Sequence, residues 1–72
     1  MTEYQEAMKK VAQVAMADLL GGSEPPPGMA DNYPFNALAW KKTLPKEWQD
    51  DAERVITHVY HTETMPEFSI IP

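Results

Sequence analysis

The side chains with the clearest chemical potential are a histidine pair near the C-terminus. His58 and His61 stand three positions apart in a predicted helix, and Glu63 follows two positions later. Two imidazoles at this spacing could share a metal ion, but zinc sites generally use three or four ligands, and the chain has no second His or Cys cluster. Because the pair lies on the flank of that helix, we expect a solvated face and predict no metal and no cofactor.

Asp18 is a second residue of chemical interest, because a negative charge at its position in the predicted helix is energetically unfavourable. At 100° per residue it lies on the apolar side of the predicted first helix, close to the end where the helix dipole disfavours a negative group. An unpaired buried carboxylate is expensive, so we expect Asp18 to meet a cation or to lie at the edge of a contact. The candidate cations are Lys41, Lys42, Arg54 and His58. No second carboxylate stands beside it, so a catalytic acid is not expected.

The chain lacks the usual nucleophilic sites. Its two serines, Ser23 and Ser69, do not lie in a G-x-S-x-G elbow, and there is no glycine-rich phosphate cradle. The absence of cysteine excludes disulfides, thiol catalysis and thiolate metal sites. With 72 residues the chain can hardly enclose a substrate cleft. We therefore predict that the protein is not an enzyme.

The charge balance and the hydropathy pattern limit the kinds of partner that the protein could bind. Eleven acidic residues against six basic ones give a net charge of −5, which argues against direct binding of nucleic-acid phosphates. No apolar run approaches the roughly 18 residues of a membrane span, so no membrane partner is expected. The first residues carry acids and do not resemble a secretory signal, which makes the cytoplasm the expected location.

The helix signals define the elements of one small domain covering residues 1–72. A helix is predicted over residues 3–20, begun by a capping box of Thr2 and Gln5 and ended by Gly21 and Gly22. Its apolar stripe consists of Tyr4, Met8, Val11, Ala12, Ala15 and Leu19. A loop rich in Pro and Gly follows over 21–34, then a short helix over about 36–42 with Asn36 as its cap. A third helix over about 45–62, with Pro45 in its first turn, precedes an extended tail over 65–72.

These elements predict a mainly α fold. We expect two antiparallel helices and a short crossing helix, with the Pro-rich loop as a strap and the tail extended. The alternative is an α+β fold, in which residues 55–62, rich in β-branched side chains, pair with residues 67–71 as a C-terminal hairpin.

The second half of the first helix is apolar on nearly every side after Gln13, which is typical of a helix that is buried all round. A domain this small cannot bury all of that apolar surface by itself, so we expect a protein partner or self-association into a homo-oligomer. The predicted partner-binding residues are Val14, Met16, Leu20, Trp40, Phe68, Ile70 and Ile71.

Together these features predict a non-enzymatic protein–protein interaction module that occupies a surface of a larger protein. Small acidic chains without cysteine are common among accessory or inhibitory proteins of phages and mobile elements. One alternative is an acidic DNA mimic that inhibits a nucleic-acid-binding protein, and another is a small structural subunit of a larger assembly. The acidic surface for mimicry would be Glu47, Asp50, Asp51 and Glu53.

Overall fold

Three helices make up the regular structure in the computed structural model, which describes residues 2–28 and 36–66. They are α1 (Glu3–Leu20), α2 (Asn36–Lys42) and α3 (Lys46–Thr62). The predicted mainly helical fold is confirmed, and the described ranges contain no strand. None of the three helices is long and apolar enough to cross a bilayer.

The hairpin alternative is not supported, because residues 55–62 belong to α3. Its other half, residues 67–71, lies outside the described residues, as does the rest of the predicted tail from residue 67. Of the predicted strap, residues 21–28 are described; Pro26 is buried there, and residues 29–34 lie outside the described part.

Local capping fixes both ends of α1. The Thr2 hydroxyl accepts the Gln5 N–H at 3.1 Å, and the Gln5 side chain accepts the Thr2 N–H at 3.1 Å, so the predicted capping box is confirmed. Gly21 adopts φ 79°, and the N–H groups of Gly21 and Gly22 donate to the carbonyls of Asp18 and Ala17. This pair of bonds is the Schellman arrangement, which a left-handed glycine makes possible.

The start of α3 differs by one residue from the prediction. Pro45 is the residue before the helix, with extended ψ 145°, and the first helical residue is Lys46. The Pro45 carbonyl accepts the Trp48 N–H at 2.9 Å, so proline closes the first turn from outside the helix. At the other end, Glu63 takes a left-handed conformation with φ 57°, and its N–H donates to the Val59 carbonyl.

The two long helices run in the same direction, so the predicted antiparallel pairing is wrong. In the first turn of α1, the Tyr4 hydroxyl donates to Asp51 at 2.6 Å, and its ring meets the Trp48 ring edge-on at 5.6 Å. Near the end of α1, Asp18 accepts a hydrogen bond from Tyr60, near the end of α3. The first turns of α1 and α3 therefore lie side by side, and so do their last turns.

The direction follows from the connection between the two helices. A short turn would have forced α3 to run back along α1, whereas here α2 leads the chain from the end of α1 back toward its start before α3 begins. The first turn of α2 lies beside Asp18, whose carboxylate accepts the Asn36 N–H. Its last turn lies beside α3, where the Lys41 ammonium is 3.6 Å from the Glu53 carboxylate.

Small apolar side chains fill the core between the three helices. α1 supplies five of its buried residues and α3 supplies three, while α2 supplies buried alanines that permit close approach. The buried residues are Met8, Val11, Ala12, Val14, Ala15, Ala37, Ala39, Ala52, Ile56 and Val59. Larger side chains such as Trp40 and Trp48 are only partly buried, at the edge of this core.

Candidate partner-binding surface

Asp18 joins the end of α1 to the other two helices. One carboxylate oxygen accepts the N–H of Asn36 at 3.1 Å and the hydroxyl of Ser23. The second oxygen accepts the N–H of Ala37 at 2.9 Å and the hydroxyl of Tyr60 at 2.8 Å. The expectation of a cation is therefore wrong: within the described ranges four neutral donors satisfy the carboxylate, and no Lys, Arg or His forms an ion pair with it.

The physical reason lies at the start of α2. The first N–H groups of a helix have no partner inside it, and a carboxylate is a strong acceptor for them. Asp18 therefore caps α2 across space, although the sequence favoured Asn36 in that role. Asn36 is instead the first helical residue, and its side-chain amide donates to the Ser23 hydroxyl at 2.9 Å.

Both ends of the α1–α3 contact hold a tyrosine hydroxyl against a carboxylate. Burial raises the pKa of Tyr60, and so does its hydrogen bond to Asp18, because ionisation would place a second negative charge there. The hydrogen bond to Asp51 likewise raises the pKa of Tyr4. Both hydroxyls therefore remain protonated donors at neutral pH, Tyr4 linking the start of α1 to α3 and Tyr60 linking the end of α1 to α3.

Beyond this junction, α1 presents exposed apolar side chains to solvent. Leu20 is 83% exposed and Leu19 is 39% exposed, whereas Met16 and Ala17, one turn earlier, are partly buried. We call these four residues the α1 apolar end. A single exposed leucine is ordinary on a protein surface, but here two successive leucines are exposed at the end of the same helix.

A shallow groove lies beside the α1 apolar end. It is lined by Lys10, Gln13, Val14, Ala17, Gly22, Ser23, Glu24 and Trp40. The Trp40 indole N–H donates to the Glu24 carbonyl at 2.9 Å, and the Lys10 ammonium lies 4.8 Å from the centre of a Trp40 ring. These two contacts fix the tryptophan and cover part of its surface.

The structure distributes the predicted partner-binding residues unevenly. Leu20 is open to solvent, while Met16 and Trp40 are half-buried against the core. Val14 is only 7% exposed, so most of its surface already serves the core. The predicted residues Phe68, Ile70 and Ile71 lie outside the described residues.

Leu19 belongs to this surface, although it lies on the apolar stripe of α1. The stripe correctly predicts which side of α1 faces its neighbours. It does not show how far along α1 those neighbours extend, and at Leu19 the side chain is 39% exposed. The glycine stop two positions later was the available signal, because residues just before a helix end commonly have fewer neighbours.

The predicted acidic surface is partly neutralised by its own neighbours. Asp51 accepts hydrogen bonds from Tyr4 and from Arg54, the latter at 3.2 Å, and Glu53 lies 3.6 Å from Lys41. Glu47 and Asp50 are exposed. The four acids therefore do not form the dense, unpaired row of charge that mimicry of DNA requires.

The two histidines lie on the exposed outer face of α3. His58 and His61 line a shallow open depression there together with Asp50, Arg54 and other polar residues. Across the described part of the chain, no three His, Cys, Asp or Glu side chains are grouped closely enough to hold a metal ion.

Comparisons with protein families, with curated proteins and with solved structures find no match to this chain. Its function must therefore be inferred from the surfaces described above.

Proposed function

We propose that this protein is a non-enzymatic interaction module, an accessory or inhibitory protein that occupies a surface of a larger protein through the α1 apolar end. The observation that carries the proposal is the 83% exposure of Leu20, directly beside the 39% exposure of Leu19. Leu19 and Leu20 contribute little to stability while they are exposed to water. A partner that covers them removes their apolar surface from water, which contributes favourable free energy to binding.

The size of that gain defines the role of the two leucines. Complete burial of one leucine stabilises by about 1.5–3 kcal/mol, and the exposed surface of Leu19 and Leu20 together amounts to somewhat more than one side chain. About 2–3 kcal/mol corresponds to a change of roughly 30- to 150-fold in affinity, which is typical of an anchor. Contacts around the anchor would supply the rest of the binding free energy.

The α1 apolar end is also held in one position before any partner arrives. The glycine cap ends the helix immediately after Leu20, and Asp18 ties the same turn to α2 and α3. Fixing a contact residue in advance reduces the entropy lost on binding.

The test is a lysine substitution at the most exposed position. Leu20→Lys removes the apolar contact and leaves the fold intact, because the side chain is in solvent and a positive charge suits the end of a helix. A tagged chain with this change should capture a specific protein from a lysate of the source organism at least tenfold more weakly than the unchanged chain.

Thr57→Lys is the matched control, because it adds the same charge at an exposed position on the outer face of α3. Thermal unfolding of both variants should match that of the unchanged chain. The proposal is contradicted if Leu20→Lys captures the same protein as strongly as Thr57→Lys does.

A further inference from the structure

His58 and His61 are two unengaged imidazoles on the outer face of α3. Both residues are exposed, and within the described ranges neither side chain forms a hydrogen bond or an ion pair. Residues three positions apart on a helix are surface neighbours, with Cβ atoms about 5–6 Å apart. Glutamate and histidine at this spacing bind metal ions in helical bundles. Two imidazoles on one turn of α3 are therefore placed to bind the same ion.

The charges around the pair favour a cation. The last turn of α3, which contains His61, carries the partial negative charge of its free carbonyl groups. Asp50 lines the same depression and is exposed, and no ion pair neutralises it among the described residues. Glu53 and Arg54, which also line it, each have an ion-pair partner already. The unpaired carboxylate and the helix end therefore attract a positive ion to this face.

One chain supplies only half of such a site. Zinc is generally bound by four ligands in a tetrahedron, drawn from imidazole, thiolate and carboxylate groups. The sequence contains two histidines and no cysteine. In the part of the chain that the structure describes, no acidic side chain is grouped closely enough with the pair to act as a third ligand. The remaining ligands must therefore come from another molecule.

We propose that His58 and His61 form half of a divalent-metal site, which a second copy of this chain completes with the same two residues. In a two-fold contact each copy contributes the same surface, so an axis through the metal places four imidazoles around it. Imidazole nitrogen suits zinc, copper and nickel, and zinc accepts four such ligands in a tetrahedron. The site is incomplete without the second copy.

Two features of this face suit a second copy. Thr57 and Thr62, which flank the histidines, are short and uncharged, so they leave room for a second α3. Each chain carries a net charge of −5, and a divalent cation between two chains offsets part of their repulsion. None of these residues belongs to the α1 apolar end, so this inference is independent of the proposed function.

Sedimentation velocity of the full chain, with zinc chloride as the probe, tests the proposal. In EDTA we expect the mass of one chain. Excess zinc should convert most of the protein to the mass of two chains, and added EDTA should reverse the change. Calorimetric titration should give one zinc ion per two chains. His61→Asn removes one ligand from each copy and should weaken zinc-dependent dimerisation by roughly tenfold or more.

Two control variants accompany this experiment. Glu47→Gln changes an exposed side chain in the first turn of α3 and should leave the zinc-dependent dimer unchanged. Circular dichroism should show the same helix content in Glu47→Gln and His61→Asn, because both positions are exposed. Leu20→Lys should dimerise with zinc as the unchanged chain does, which distinguishes failure of this inference from failure of the proposed function.

Four results would overturn the inference. The chain could keep the mass of one copy in excess zinc, or it could bind one zinc ion per chain without a change of mass. Zinc-dependent dimers that form equally well in His61→Asn would show that other groups bind the metal. A dimer already present in EDTA and unaffected by zinc would assign self-association to another surface.

Discussion

Asp18 illustrates how one side chain can organise a small protein. Its carboxylate accepts hydrogen bonds from Ser23, Asn36, Ala37 and Tyr60, which belong to three separate parts of the chain. The sequence placed a charge on the apolar side of α1 and correctly marked it as anomalous. It could not reveal the partners, because the N–H groups of α2 reach this position only after the chain has folded back.

Replacing Asp18 tests its role as the common acceptor. Asp18→Asn keeps the size of the side chain but turns one acceptor oxygen into a donor, which leaves donors without partners. We expect the free energy of unfolding, measured by urea denaturation, to fall by about 2 kcal/mol. Asp50→Asn, at an exposed position on α3, should change it by less than about 0.5 kcal/mol. Equal losses in the two variants would refute the assignment.

Tyr60 gives a pH dependence with a defined sign. Burial and the Asp18 carboxylate raise its pKa in the folded chain above the ordinary value of 10.0, so the folded state holds this proton more tightly than the unfolded state does. Its contribution to stability is therefore complete below pH 10 and is lost progressively at higher pH. Between pH 9 and 11, the free energy of unfolding should fall more steeply in the unchanged chain than in Tyr60→Phe. Parallel curves would contradict this.

At the scale of elements, local sequence signals were sufficient to predict the helix ends, but they did not predict the relative direction of the helices. The Thr2 and Gln5 capping box and the Gly21–Gly22 stop could be predicted because each depends on neighbours a few positions away. The relative direction of α1 and α3 depends on where α2 lies between them. The position of α2 is set by contacts distant in sequence, such as the one between Asp18 and Ala37.

The two glycines after α1 allow a matched test of the cap at the C-terminal end of this helix. Gly21 has φ 79°, which disfavours any side chain, whereas Gly22 has no such constraint, and a Cβ atom at either position would meet no other atom within 4 Å. Gly21→Ala should lower the free energy of unfolding by about 1 kcal/mol through backbone strain. Gly22→Ala should leave it equal or slightly higher. Thermal or urea denaturation distinguishes them, and the opposite order would exclude the Schellman cap.

At the scale of the whole molecule, the described body has a small alanine- and valine-rich core and an uncovered apolar end. That the second half of α1 carries more apolar surface than the body can cover stays a prediction; in that half Leu19 and Leu20 are exposed, whereas Ala15 is buried. Val14, expected to bind a partner, belongs to the core. Periodicity identifies a face, but the length of the neighbouring helices decides which residues on it remain exposed.

The most direct measurement is hydroxyl-radical footprinting of α1, read by mass spectrometry, in the isolated chain and in its captured complex. We predict that Leu19 and Leu20 are labelled readily in the dilute isolated chain and are protected several-fold in the complex, while His58 and His61 on the outer face of α3 are labelled equally in both. Leucines already protected in the isolated chain, or labelled equally in the two states, would contradict the proposed role of this surface.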